Sequence, residues 1–312
     1  MKYFLPCLFV IIGFSQCIKD PVRPQSPDNS NIFTAVTDPN YILDTLTVSV
    51  RLTKETIYGY FFTYDNLNRV TKIKYYEYIY NVPLYNRGTW TFNYQGSNNN
   101  PESMDQQSYN NFRVYFFYNA NGSKNRDSLV STTDPSIQAV RRYTYDSAFH
   151  FAVANLYYKG SLKSTLQDSA TFTNYNCNTI YSKQISWSGN IPVTYEWFDN
   201  YYTGVDYQPN PFSKMNIFPA LFLAPYLQLG YKVEGNMWQS DIIKDFVFQN
   251  NQRRYWLNDY ATGGYNYIHI QSGEGETYDT KNRIIQKDFA DSSGTPYNVS
   301  YHNRYYATYK YR

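Results

Sequence analysis

The sequence has few cysteines and few charged residues, and each shortage excludes a class of protein. Three cysteines, Cys7, Cys17 and Cys177, occur in 312 residues. Cys7 lies in an apolar N-terminal run and Cys17 follows it, so Cys177 has no partner for an internal disulfide in the mature chain. Charged residues make up 17% of the chain. Disordered chains are rich in charge and poor in aromatic residues, so this chain is not disordered.

Sequence signals for nucleic-acid, metal or nucleotide binding are also missing. Lys and Arg total 28 against 25 Asp and Glu, and the basic residues are scattered. Nucleic-acid binding needs a clustered basic surface. The chain has no His-x-x-x-His, Cys-x-x-Cys, glycine-rich phosphate loop or Gly-x-Ser-x-Gly, and its three histidines, His150, His269 and His302, lie far apart. We therefore predict no nucleic-acid partner, no cofactor and no metal site.

Aromatic residues are abundant instead. They make up 20% of the chain, with 37 Tyr, 20 Phe and 5 Trp. Such side chains suit the pleated surface of a sheet, whereas Ala, Leu, Glu and Lys do not dominate as they do in long-helix proteins. The composition predicts an all-β protein.

The N-terminus has the layout of a secretory signal. A short positive start, 1–3, precedes an apolar run, 4–14, that is too short to span a bilayer. Ser15-Gln16-Cys17 follows and resembles the lipobox of bacterial lipoproteins, which implies that Cys17 becomes the lipid-modified mature N-terminus. We predict a signal peptide over 1–16 and a flexible, proline-containing tether over 17–40. Ordinary secretion and an uncleaved anchor are the alternatives.

Two segments repeat one hairpin pattern. Residues 64–70 and 278–284 both spell Tyr-Asp-x-x-Asn-Arg-(Val/Ile) between alternating strands. The Asp can accept hydrogen bonds from the turn backbone, the Asn tolerates left-handed φ, and the Arg can reach back to the Asp. Asp65, Arg69, Asp279 and Arg283 are therefore predicted to have structural roles.

The remaining pattern predicts one β domain over 41–312. Short strand-like runs joined by polar turns, such as 112–118, 139–146 and 168–175, indicate a sequential antiparallel hairpin meander, closed or strongly curled into a barrel or rolled sheet. Residues near 210–230 are the most apolar of the mature chain and contain Pro219 and Pro225, which predicts a short helical or loop insertion. We expect this insertion to pack across one opening of the sheet; the alternative is a membrane-dipping or partner-binding loop.

The lipobox-like start, the Tyr-Asp-x-x-Asn-Arg hairpins and the stretch beginning Asn210-Pro211-Phe212 together resemble a group of uncharacterised Bacteroidota lipoproteins. The resemblance implies a domain of unknown function with a porin-like fold and hairpins similar to YD (Rhs-type) repeats. It implies fold and location, and it carries no activity or site.

Two surfaces are candidates for function. Trp187, Tyr195 and Trp197 flank a turn, with Glu196 and Asp199 nearby, so rings and acceptors are available for stacking on sugars and binding their hydroxyls. Ordinary core packing is the alternative for these rings. Glu274 and Glu276 share a strand face and are candidates for paired-carboxylate chemistry.

We therefore predict a lipid-anchored, non-enzymatic binding module at the outer membrane, facing the periplasm or the cell surface. Its partners would be the membrane, through the lipid, and a glycan or envelope protein. The alternative is a surface hydrolase of glycans that uses paired carboxylates. An integral membrane barrel ranks last, because charged residues interrupt the predicted strands: Lys72, Lys74, Arg113 and Lys183.

Overall fold

The computed structural model describes residues 36–107, 111–145, 149–158, 161–173, 176–188, 191–200, 205–221, 250–252, 254–260, 266–272, 275–295 and 298–312. Side-chain packing is described mainly within 36–83, 88–107, 111–143, 210–221, 275–288 and 305–312. The predicted signal peptide 1–16 and Cys17 lie outside the described residues.

Strands form nearly all of the described chain. The first ten are β1 Leu43–Val50, β2 Thr56–Tyr64, β3 Val70–Ile79, β4 Val82–Asn93, β5 Ser103–Gln107, β6 Phe112–Tyr118, β7 Lys124–Ser131, β8 Ile137–Tyr145, β9 Phe149–Tyr158 and β10 Ser161–Thr173. The remaining strands are β11 Asn176–Ser188, β12 Ile191–Asn200, β13 Val205–Pro209, β14 Asn250–Gln252, β15 Arg254–Tyr260, β16 Asn266–Ser272, β17 Gly275–Tyr278, β18 Ile284–Thr295 and β19 Asn298–Tyr311. Short helical turns are Pro39–Tyr41, Pro211–Lys214 and the single-turn helix α1 Phe218–Leu221.

Fifteen strands pair into one antiparallel sheet. β1 to β12 follow one another in chain order, β19 pairs with the free side of β1, and β18 and β17 continue beyond it. This arrangement confirms the predicted all-β antiparallel meander. Backbone pairing in the described sheet ends at β12 and β17. The two-stranded ribbon β15–β16 lies next to this sheet, with β15 beside the end strand β12 and β16 beside β18. Closure into a barrel stays a prediction.

One face of the sheet, here called the inner face, carries the aromatic core. Leu46, Tyr60 and Tyr75 lie opposite one another across β1, β2 and β3, and all three are buried. The Tyr60 and Tyr75 rings stack with centroids 4.7 Å apart. Strand alternation sends every second residue to this face, so the tyrosine-rich strands bury one set of rings and leave the other set outside.

Residues 210–221 cover this face. Asn210 begins the segment by accepting a hydrogen bond from the Phe212 N–H, and Phe212 lies against Phe62 with ring centroids 6.4 Å apart. Residues 215–221 are all buried. The predicted insertion near 210–230 is therefore a packed segment over its described part, and 222–230 lie outside the described residues. The membrane-dipping alternative does not apply to 210–221.

The last residues of the predicted tether, 17–40, belong to the folded body. Thr37 is buried against Asn216, and the Asp38 N–H donates to the Lys214 carbonyl at 3.0 Å. Because these contacts fix the backbone, Thr37 and Asp38 belong to the body, which the prediction had begun at 41. The earlier part of the tether, 17–35, lies outside the described residues.

Candidate functional site

The Tyr-Asp-x-x-Asn-Arg corners are self-contained hydrogen-bonded units. In the first, Asp65 Oδ1 accepts from the Leu67 and Arg69 N–H groups at 3.0 and 2.9 Å, and Oδ2 accepts from Arg69 Nε at 2.7 Å. Asn68 has φ +58°, the left-handed conformation that asparagine tolerates. In the second, Asp279, Lys281 and Arg283 make equivalent bonds, and Asn282 also has φ +58°.

Each corner recruits a tyrosine from the next strand region, which the sequence pattern alone did not reveal. The ring centroid of Tyr94 lies 4.4 Å from the guanidinium carbon of Arg69, and that of Tyr311 lies at the same distance from the guanidinium carbon of Arg283. Their hydroxyls donate to the carbonyls of Val70 and Ile284 at 2.5 and 3.0 Å. The ring therefore covers the arginine while its hydroxyl binds the outgoing strand.

Electrostatics agree with a structural role for these corners. Burial acts to raise the pKa of Asp65, but the hydrogen bonds from the Arg69 and Leu67 N–H groups and the Arg69 guanidinium outweigh it, so the pKa lies below its usual value. The pKa of Asp279 is lowered in the same way. Arg69 Nη1 also donates to the Gly96 and Asn98 carbonyls at 2.8 and 2.7 Å. These side chains satisfy one another and the loop backbone.

Residues 118–124 form a third hairpin of the same shape with different chemistry. Asn119 N–H donates to the Ser123 carbonyl and Gly122 N–H to the Asn119 carbonyl, as the equivalent residues do in the other two corners. Gly122, with φ +83°, takes the place of Asn68. Lys124 follows at the position held by Val70 and Ile284, so a lysine occupies a core position that is apolar in the two other copies.

Lys124 is fully buried and binds residues 210–221. Its Nζ donates to the Ala220 carbonyl at 2.7 Å and lies 3.4 Å from Asp127 Oδ2. The Tyr143 hydroxyl also donates to Asp127, and the Tyr143 ring centroid lies 4.3 Å from Nζ. Burial lowers the pKa of Lys124 to about 7, opposed by Asp127 and reinforced by nearby Arg141. A lysine sealed from solvent cannot meet a substrate, so it anchors the segment.

Asn216 is the second anchor of this segment. Its Oδ1 accepts from the Val70 N–H at 2.9 Å and from the Thr37 hydroxyl at 3.3 Å. Its Nδ2 donates to the Tyr94 hydroxyl and the Asn99 carbonyl, both at 2.8 Å. Asn216 has no exposed surface, and these bonds satisfy its amide. The inner face is thus closed over this part of the sheet.

The opposite, outer face carries an open groove across β6, β7 and β8. Its lining residues are Phe116, Phe117, Tyr118, Asn125, Arg126 and Arg142. The register shift between Phe117 and Tyr118 leaves Asn125 as an extra residue opposite them. Phe117, Arg126 and Arg142 are directly opposite one another on successive strands, and the Arg126 guanidinium lies 3.9 Å from the Phe117 ring centroid. Sequence reasoning missed this site, because the three residues belong to three strands.

The register divides the residues predicted to bind a ligand between the two faces. Tyr195 pairs with Gln184, and the row of paired residues continues through Leu166 and Ala154 to Arg141, which lies on the inner face. Tyr195 therefore lies on the inner face, and so does Trp197, two residues further along β12 and paired with Ser182. Strand alternation places Asp199 on that face as well. Trp187 and Glu196 occupy the outer face, in register with Pro192 and Lys183. The five positions do not share one surface, and their ligand-binding role stays a prediction.

The predicted carboxylate pair is only partly within the described chain. Glu276 Oε2 accepts a hydrogen bond from the Tyr278 hydroxyl at 2.9 Å, and Glu274 lies outside the described residues. Among the described residues, no group of three or more His, Cys, Asp or Glu side chains is placed to hold a metal ion. No helix in the same part of the chain has the length and apolar character needed to cross a membrane.

Comparison with solved structures identifies similar folds. A porin-like protein from Bacteroides uniformis ATCC 8492 superposes with a TM-score of 0.50 at 9% identity, covering 88% of this chain and 99% of that one. A porin-like protein from Bacteroides vulgatus ATCC 8482 gives a TM-score of 0.48 at 9% identity, covering 87% and 99%. No protein-family model and no curated protein matches the sequence. At this identity the first superposition shows the fold alone: the chain has the all-β fold of a porin-like protein.

Proposed function

We propose that this protein is a non-enzymatic binding module of the cell envelope, held to the outer membrane by lipid on Cys17 and binding a glycan on the outer face of its sheet. The observation that carries the proposal is the filling of the inner face by residues 210–221. Phe212, Met215, Ile217 and Ala220 have no exposed surface there. Over this part of the sheet, a ligand can reach only the outer face.

The outer face has the character of a water-facing surface. The exposed side chains on β2, β3 and β6 include Thr63, Lys74 and Arg113. Two rings on β6, Tyr115 and Phe117, are also 38% exposed each. A membrane-spanning sheet presents an apolar band to lipid. The mixture of charged side chains and isolated rings instead suits recognition of a polar, ring-shaped ligand.

Lipid attachment rests on the N-terminal sequence. The signal-like run 4–14 ends just before Cys17, and the proline-containing segment that follows can separate the body from a membrane. In cells fed a labelled fatty acid, the full chain should carry the label and sediment with outer membranes, and Cys17→Ser should do neither. A Cys17→Ser protein that still carried the label would refute lipid attachment at Cys17 and would leave the proposed glycan binding untested by this experiment.

A glycan array probed with the full chain in detergent tests the binding function. Trp187→Ala, at an outer-face position of β11, is expected to weaken glycan binding, and Trp197→Ala, at an inner-face position of β12, serves as the matched control. Thermal unfolding of both variants identifies loss of folding. Failure of the folded wild-type protein to bind any glycan would refute the proposal.

The hydrolase alternative has a separate test. Release of reducing ends from any bound glycan, abolished by Glu276→Gln, would establish it. Unchanged glycan after prolonged incubation favours the binding module.

A further inference from the structure

We propose that the outer-face groove containing Arg126 and Arg142 binds the carboxylate or sulfate groups of an acidic glycan. This inference rests on the proposed glycan-binding function and adds the ligand class and the residues that select it.

The charge pattern is the first argument. Among arginines with described side chains, five each form an ion pair with an aspartate: Arg51, Arg69, Arg113, Arg283 and Arg312. Arg126 and Arg142 have no carboxylate partner within the described residues. They also lie directly opposite each other on β7 and β8, where two like charges destabilise a sheet. An external anion would offset that repulsion.

The arrangement of donors is the second argument. Arg126 is held against the Phe117 ring, and its Nε is buried with no hydrogen-bond acceptor within the described chain. Buried donors without partners are rare, and a bound ion or water is one explanation for them. A guanidinium presents its N–H groups as a planar fork that fits the paired oxygens of carboxylate or sulfate. Two such forks on neighbouring strands provide charge and geometry together.

A neighbouring arginine shows what a satisfied site on this face looks like. Arg113, on β6, donates from Nε and Nη2 to the two carboxylate oxygens of Asp105 at 2.6 and 3.1 Å. Among the described residues, the protein thus supplies its own carboxylate to Arg113 and none to Arg126 or Arg142. The contrast marks the groove as the place where a carboxylate from outside can bind.

The surroundings favour a sugar acid over a free ion. The Phe117 ring lines the groove beside the arginines and retains exposed surface. Flat rings beside a charge suit a pyranose that carries an acidic group. The row of Arg126 and Arg142 continues through Val153 and Gln167 to Lys183 on β11. Lys183 has Glu196 of β12 directly opposite it, so the basic part of this row is the Arg126 and Arg142 pair.

Calorimetric titration of the full chain in detergent tests this assignment with matched ligands. The first pair is a galacturonate oligosaccharide and its methyl ester, and the second is dextran sulfate and dextran. We expect the acidic member of at least one pair to bind, its neutral counterpart to bind much more weakly, and affinity to fall as salt rises. Inorganic sulfate alone is expected to bind weakly, because it lacks a sugar ring that could pack against Phe117.

Variants then locate the site. Arg126→Gln and Arg142→Gln should each weaken binding of the acidic ligand by roughly tenfold or more, the loss expected when a hydrogen-bonded charge is removed. Lys74→Gln removes the same charge from the outer face of β3 and should change affinity by less than about twofold. Arg126→Lys keeps the charge without the fork, and its binding should lie between wild type and Arg126→Gln. It also provides a readout if the Gln variant does not fold.

The outcomes separate this inference from the broader function. The assignment would be overturned if the folded double variant, with both Arg126→Gln and Arg142→Gln, bound the acidic ligand as tightly as the wild type. Binding of neutral glycans only would also overturn it and would leave the glycan-binding function standing. Absence of binding to every glycan would refute both. Tight binding of inorganic sulfate, equal to that of the sulfated polymer, would show a free-anion site and contradict the glycan.

Discussion

Lys124 occupies in its hairpin the position that Val70 occupies in the equivalent hairpin, and both side chains are completely buried. Val70 reaches residues 210–221 through its backbone N–H, which donates to Asn216, whereas Lys124 reaches them through its ammonium group, which donates to Ala220. Equivalent positions in two hairpins therefore bind residues 210–221 in two ways: through a backbone N–H at Val70 and through a titratable side chain at Lys124.

The stability of the protein should depend on pH through Lys124. The folded lysine loses its proton near pH 7, while the unfolded lysine keeps it until about 10.5. Between these values the unfolded state binds more protons, so the free energy of unfolding should rise with pH, by at most about 1.4 kcal/mol per pH unit. Guanidinium unfolding measured from about pH 7 to about pH 9 checks this sign.

Lys124→Met should flatten that pH dependence, and Lys74→Met, at an exposed position, should preserve it. The range ends near pH 9 because buried tyrosines act in the opposite direction. Burial raises the pKa of Tyr64, Tyr94 and Tyr311, so the unfolded state releases these protons first and stability falls above about pH 10. An unchanged slope in Lys124→Met would contradict the assignment.

Removal of Asn216 should detach the inner segment. Asn216→Ala leaves the Val70 N–H and the Asn99 carbonyl without their partner, and buried unsatisfied groups are costly. We expect a loss of roughly 2 to 4 kcal/mol in chemical unfolding. Asn66→Ala, an exposed turn position, is the matched control. A loss below about 0.5 kcal/mol for Asn216→Ala would show that the segment is held without it.

Backbone conformation makes a separate prediction at Asn68. This exposed residue has φ +58°, so alanine there would strain the backbone and destabilise the protein by about 1 to 2 kcal/mol. Asn68→Gly should be close to neutral, because glycine adopts this conformation without a Cβ penalty. Urea midpoints of the pair distinguish backbone strain from loss of side-chain contacts, which would affect both variants equally.

The acidic corners should contribute to acid unfolding. The folded pKa of Asp65 lies below its unfolded value, so its contribution is present above about pH 4 and disappears as pH falls through the folded pKa. Asp65→Asn should reduce the steepness of the stability loss below about pH 4, and the Asp65→Asn, Asp279→Asn double variant should reduce it further. A double variant as acid-sensitive as wild type would contradict the role of these corners.

Local sequence predicts the hairpins well because their physics is local. Asp65 and Arg69 are four residues apart, and the aspartate binds the turn backbone between them. Alternation similarly predicts β6 over 112–118, as the structure has it. It does not predict β5, Ser103–Gln107, because Ser, Asp and Gln give no apolar period, and only pairing with β4 and β6 makes this segment a strand.

Chain composition and short-range pattern by themselves determined that this is an antiparallel, tyrosine-rich β protein with acidic corners. Tertiary structure alone decided which residues meet: β1 with β19, Lys124 with the Ala220 carbonyl 96 positions away, and Arg126 with Arg142 on the outer face. It also placed Tyr195 and Trp197 on the inner face of the sheet and Trp187 on the outer face. The reason is physical. A turn is fixed by hydrogen bonds within a few residues. The register of paired strands decides which face each side chain occupies and which residue it meets, and it depends on pairing between strands that are distant in sequence.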